Sequence, residues 1–138
     1  MITLIVGKKG SGKTKKLIEN ANQAIEKSNG NVVVIEKGLK LTYDISHQAR
    51  LIDTDAYGIQ GTDALCGFIS GICAGNYDVT DIFVDSTLKI IGKDTKAFIS
   101  FAEKMNALST LADTKITLLV SLDTNELPEE INSVAVQI

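Results

Sequence analysis

Two hydrophobic rhythms alternate along the chain. Short continuous apolar runs, Ile2–Val6, Val32–Ile35 within Asn31–Glu36, Ile82–Val84 within Asp81–Asp85, Ile116–Leu122 and Val134–Ile138, are bounded by polar or glycine residues. Runs of this kind predict strands buried on both faces, as in a parallel sheet. Arg50–Asp53 is a weaker candidate for a sixth. Between the runs, apolar residues return every third or fourth position. Leu17, Ile18, Ala21, Ala24 and Ile25 predict a first helix, stopped by Asn29-Gly30. Leu65, Phe68, Ile69 and Ile72 predict a second from Thr62 to Ala74, capped by Thr62 or Asp63. Phe98, Phe101, Ala102, Met105 and Leu108 predict a third from Thr95 to Leu111. Pro128-Glu129-Glu130-Ile131 reads as a short helical turn.

This alternation implies an α/β fold: a three-layer sandwich around a mainly parallel sheet of about five strands. The length of 138 residues fits one domain, residues 1–138, large enough to bury a core without staples. The long irregular stretch from Gly38 to Gly61 stands out, because such segments are functional loops or hold structure of their own.

Composition adds exclusions. The chain is 44% apolar and 22% charged, with a net charge of −3. That balance argues for a globular domain and against a general affinity for nucleic acid, which asks for a strongly basic face. Cys66 and Cys73 lie seven apart on one face of a helix, too far for a disulfide, and read as buried thiols. One histidine, His47, and no CxxC pair argue against zinc. The first apolar run flows into a glycine loop rather than a cleavage site, and no run nears the roughly 18 residues of a membrane span. The expected location is cytoplasmic.

The chemistry is concentrated in Gly7-Lys8-Lys9-Gly10-Ser11-Gly12-Lys13-Thr14, which satisfies G-x-x-x-x-G-K-[ST] at every fixed position. Backbone N–H groups can converge on phosphate oxygens only where glycines permit positive φ and close approach. A helix starting near Gly12 adds its N-terminal dipole. Lys13 would reach the β- and γ-phosphates, and the Thr14 hydroxyl would ligate Mg²⁺. The preceding buried strand and the following amphipathic helix are the context this motif needs. A second, magnesium-holding acid is expected at the end of a later buried strand. Asp85, closing Ile82-Phe83-Val84, fits it, whereas Asp81 falls at the opposite edge.

Together these motifs resemble the P-loop NTPase superfamily, and the order of elements extends the resemblance over most of the chain. Val84-Asp85-Ser86, an apolar strand ending Asp-Ser, is most similar to RecA-like ATPases. That likeness implies a glutamate at the end of the strand after the first helix, orienting the attacking water, and Glu36 occupies that place. The loop is also similar to those of twitching-motility or secretion ATPases. Gly10-Ser11-Gly12-Lys13-Thr14 resembles thymidine-kinase-type proteins, whose catalytic Glu position is taken here by Ser86.

Other residues have plainer readings beside functional ones. Ser121, Asp123, Thr124 and Asn125 form either an ordinary polar turn or a sensor of the γ-phosphate. Arg50, the lone arginine, is either a solvated surface residue or a charge lent across an interface. Lys8, Lys9, Lys15 and Lys16 crowd Lys13 and suit attraction of a polyanion. The expected function is MgATP binding with slow hydrolysis. The rivals are a nucleotide-responsive binding module without turnover, and a small-molecule kinase. The minimal length suggests self-assembly or a partner protein.

Overall fold

In the computed structural model, which describes residues 1–138, six strands form one all-parallel sheet. They are β1 (Ile2–Val6), β2 (Asn31–Glu36), β3 (Arg50–Asp53), β4 (Val79–Val84), β5 (Lys115–Val120) and β6 (Ala135–Gln137), in the order β3-β2-β4-β5-β1-β6. The helices are α1 (Lys13–Lys27), α2 (Thr62–Gly75), α3 (Thr87–Ile91) and α4 (Thr95–Ala112).

Two hydrophobic clusters show how the layers assemble. Successive strand residues point to opposite faces, so Val33 and Ile35 join Leu65, Ile69, Phe101 and Met105 of α2 and α4 on one face. Val32 and Val34 join Leu17 and Ala21 of α1 on the other. Helices on both faces of a parallel sheet give the three layers the sequence implies. None of the helices is long and apolar enough to cross a membrane.

The structure also departs from the sequence reading. Arg50–Asp53 is a full edge strand paired to β2, which raises the count to six. Gly38–Gly61 is not a plain loop: it holds β3 and a 3₁₀ turn at Asp55–Tyr57, and buries Leu41 and Ile45 in the α1-side core. Two isolated leucine and isoleucine positions give no periodicity to detect. β4 starts earlier than expected, at Val79, and ends at Val84, leaving Asp85 just beyond the strand. β5 stops at Val120, and β6 contracts to Ala135–Gln137.

Helix ends differ too. α1 stops at Lys27, where the Ser28 amide donates to the Ala24 carbonyl. Gly30 serves close approach instead, since a Cβ there would collide with the Asp78 carbonyl oxygen. Gly61, not Thr62 or Asp63, caps α2, its φ of 93° being one that glycine adopts without strain. The five-residue α3 was absent from the sequence reading, being too short to show a helical period.

Candidate functional site

The carboxyl ends of β1, β5, β4 and β2 lie side by side, and the chemistry-bearing residues collect there, as expected for an open α/β sheet. The Gly7–Thr14 loop leaves β1 and enters α1. Gly10 and Gly12 both take φ 85°, the left-handed region where a side chain would be strained. Gly7 has a different reason to be glycine, because a Cβ would run into the Ser11 side chain folded over it. The Gly7 amide donates to the Val120 carbonyl at 3.4 Å and the Ser11 amide to the Lys8 carbonyl at 3.1 Å. The amides of Lys9, Gly10, Gly12, Lys13 and Thr14 have no protein acceptor. A curl of free N–H groups at the start of a long helix is an anion cradle.

Lys13 is the one buried residue of the loop's polar set, 8% exposed, and its Nζ donates to the Lys8 carbonyl at 3.2 Å. Burial pushes its pKa below the usual lysine value; nearby Asp85 opposes that shift and Lys89 adds to it. A desolvated ammonium bonded only to a carbonyl of its own loop is poised to exchange that bond for a phosphate oxygen.

Asp85 is 6% exposed and stands two strands away from the loop, across β5, about 10 Å by strand spacing. Its amide donates to the Ile35 carbonyl at 2.8 Å, extending the ladder past β4. Oδ2 accepts from the Ser86 hydroxyl at 3.1 Å, whereas Oδ1 is buried without any partner. Ser86 itself adopts φ 55°, ψ 40°, a left-handed conformation that costs a non-glycine residue about 1 kcal/mol or more. A strained backbone thus stands beside a carboxylate oxygen that a ligand or a water would complete. Those features fit a magnesium ion: Oδ1 lacks a partner and the Thr14 hydroxyl is exposed on the same cavity. Two protein ligands suffice for an ion that keeps waters and takes substrate phosphates.

A cavity of about 470 Å³ joins these groups. Lys9, Gly10, Lys13, Thr14, Asp85 and Ser121 line it, as the motifs imply, and so do Lys40, Lys89 and Lys93. Sequence reasoning missed those three lysines. Lys89 sits on α3, and recognising a helix directly after Asp85-Ser86 would have carried it to this edge. Five lysines face a single acid there, a setting for a polyanion.

Glu36 lies where the sequence puts it, level with Asp85 on the neighbouring strand and on the α1 side. Its side chain, however, is completely buried. Oε1 accepts from the Lys40 amide at 2.9 Å and Oε2 from the Leu41 amide at 3.4 Å. Burial pushes its pKa above 4.5, with Asp85 and Asp53 adding to the rise and the two amides opposing it. Lys40 and Leu41, not Glu36, form the cavity wall.

Lys8 turns away from the cavity to pair with Asp123 at 3.1 Å, a hydrogen bond that holds the Asp123 carboxyl below its ordinary value. Arg50 begins β3 and so stands at the opposite end of the sheet. Cys73 is buried and Cys66 half-buried, both free thiols on α2. Comparison of the chain with protein-family models and with curated proteins found no match.

Proposed function

We propose that this is a P-loop protein that binds MgATP and hydrolyses it slowly. The observation that carries the reading is the pairing of two halves built from distant parts of the chain. A cradle of unpartnered amides with a buried lysine faces a buried aspartate whose Oδ1 has no partner, across one lysine-lined cavity. In this assignment the loop amides and Lys13 grip the phosphate oxygens. Thr14 and Asp85 hold Mg²⁺, which when bound neutralises charge on the phosphates. Lys89 and Lys93 add positive charge at the same edge. Phosphoryl transfer through a loose transition state asks mainly for positioning and charge, and these groups offer both. Slow turnover follows from the state of Glu36, the acid nearest Asp85, whose two oxygens are engaged by loop amides.

The test is phosphate release from ATP as a function of Mg²⁺, for the wild type and Asp85→Asn. The expected result is magnesium-dependent release that the variant loses by about a hundredfold, in line with several kcal/mol for a metal-held charge. Release that is independent of Mg²⁺, or equal in both proteins, contradicts the assignment. Binding without any release favours the nucleotide-responsive module, and release only with an added acceptor favours the kinase.

A further inference from the structure

The segment after β2 is sewn to the sheet by carboxylates. Gly38 takes φ 89°, and its amide donates to Asp53 Oδ1 at 2.7 Å. The next two free amides, of Lys40 and Leu41, point at the two oxygens of Glu36. The Lys37 ammonium pairs with Asp55, and the Thr54 amide donates to the Glu36 carbonyl at 2.8 Å. Leu41 then plugs into the α1-side core, 3% exposed, and its carbonyl accepts from the amides of Asp44 and Ile45. Apart from the Lys37–Asp55 ion pair, these anchors hold backbone or apolar surface. The Lys40 side chain remains exposed and lines the same cavity as Lys9 and Lys13.

Orientation of an attacking water requires a carboxylate oxygen within hydrogen-bond reach of it. Here each oxygen already accepts a backbone amide, no part of the Glu36 side chain is exposed, and Lys40 and Leu41 line the cavity where Glu36 does not. A carboxylate accepting two backbone N–H bonds is well suited to a different task, fixing a turn through charge-assisted bonds.

We infer that Glu36 is a positioning residue, which clamps the Gly38–Leu41 turn so that the Lys40 ammonium closes over the phosphate end of a nucleotide held in the Gly7–Thr14 cradle. This rests on the MgATP reading. Asp53 is the second jaw of the clamp, because it holds the amide of Gly38 at the pivot of the turn. Lys40 then supplies a cation to the cavity from the turn after β2, a part of the chain separate from α3 and the connection that carry Lys89 and Lys93.

The experiment is equilibrium binding of fluorescent ATP with Mg²⁺, alongside phosphate release at saturating ATP, for six proteins. They are the wild type, Lys40→Ala, Lys40→Arg, Glu36→Gln, Asp53→Asn, and the double variant Glu36→Gln with Lys40→Ala. Loss of one charge-assisted contact weakens binding by about tenfold at an exposed rim. Lys40→Ala should show that loss and Lys40→Arg should restore most of it. Glu36→Gln should weaken binding to a similar degree, because its amide group replaces one acceptor of the turn, with release at saturation little changed. The double variant should bind no more weakly than Lys40→Ala, since the clamp matters only through that lysine. Asp53→Asn keeps the idea testable should Glu36→Gln not fold, and is expected to weaken binding in the same way. Glu36→Gln with wild-type affinity and abolished release would overturn the inference in favour of the water-orienting role. Additive losses in the double variant, or unchanged affinity in Lys40→Ala, would overturn it as well. Absence of binding by the wild type is a separate outcome, and would remove the MgATP reading together with this one.

Discussion

The two ends of the parallel sheet carry clefts of opposite character. At the amino end of the strands, a groove of about 760 Å³ runs between α1 and the starts of β4 and β5. At the carboxyl end, the lysine-lined cavity is smaller, about 470 Å³. Size alone would favour the amino end. Yet several of the hydroxyls there are already committed to the fold. The Thr114 hydroxyl donates to the Val79 carbonyl at 2.9 Å, and Ser28 and Thr80 bond each other. Asp113 is left-handed at φ 52°, but as the C-cap of α4 its amide donates to the Ser109 carbonyl. At the carboxyl end the strain of Ser86 serves no helix end of comparable length, Asp85 Oδ1 is orphaned, and a buried ammonium bonds its own loop. The two clefts thus differ in unmet polar demand as well as in volume, and the smaller one holds the orphaned carboxylate oxygen.

That contrast can be broken by substitution at each end. The largest effect expected is on Asp85→Asn, with magnesium-dependent phosphate release down by about a hundredfold and thermal stability of the unliganded protein unchanged or raised. A variant that lost stability but kept release would make Asp85 a structural residue and erase the contrast. Next comes Gly7→Ala. Its Cβ would meet the hydroxyl of the exposed Ser11 side chain, which must turn aside, at a cost near the low end of about 1–3 kcal/mol and with weaker nucleotide binding in a titration. Unaltered affinity would show that the loop is not held to the described shape.

A smaller effect is expected at the amino end. Thr114→Val removes the buried bond to Val79 and should cost about 1 kcal/mol in a denaturant melt, with ATP binding unaltered. A change in nucleotide affinity there would mean the two ends are coupled. The smallest effect concerns pH. Because burial raises the Glu36 pKa above 4.5, the folded state prefers its protonated form. Its stabilising contribution is fully present below about pH 4.5 and is lost as pH rises through the higher folded value. Glu36→Gln should therefore gain stability relative to the wild type as pH rises through the raised folded value. A difference that stays flat across that range would show that Glu36 is not desolvated as described.

Much of this molecule is legible from residues alone, for identifiable reasons. Buried parallel strands announce themselves because both faces must be apolar, which is why β1, β2, β4 and β5 are plain in Ile2–Val6, Val32–Ile35, Ile82–Val84 and Ile116–Val120. The Gly7–Thr14 loop is contiguous, so its spacing survives in the sequence. What escapes is whatever depends on chain segments meeting in space. Lys40, Lys89 and Lys93 reach the cavity from a turn, a short helix and the connection after it, and no local pattern distinguishes them from other surface lysines. Glu36 shows the opposite limit. Its position at the end of β2 is readable, but the direction of its carboxylate is set by two amides further along the chain. Gly30 likewise serves close approach rather than a helix stop, and Gly61 caps α2 in place of Thr62 or Asp63, because a glycine's role depends on what its backbone approaches.

The central claim is that the Gly7–Thr14 loop and Lys13 form a working nucleotide site. Equilibrium binding of fluorescent ATP with Mg²⁺ to the wild type and to Lys13→Ala tests it most directly. The expected result is saturable binding by the wild type and a loss of at least about tenfold in the variant, the scale of one bond to a charged group. Equal binding by both proteins, or none by the wild type, would contradict it.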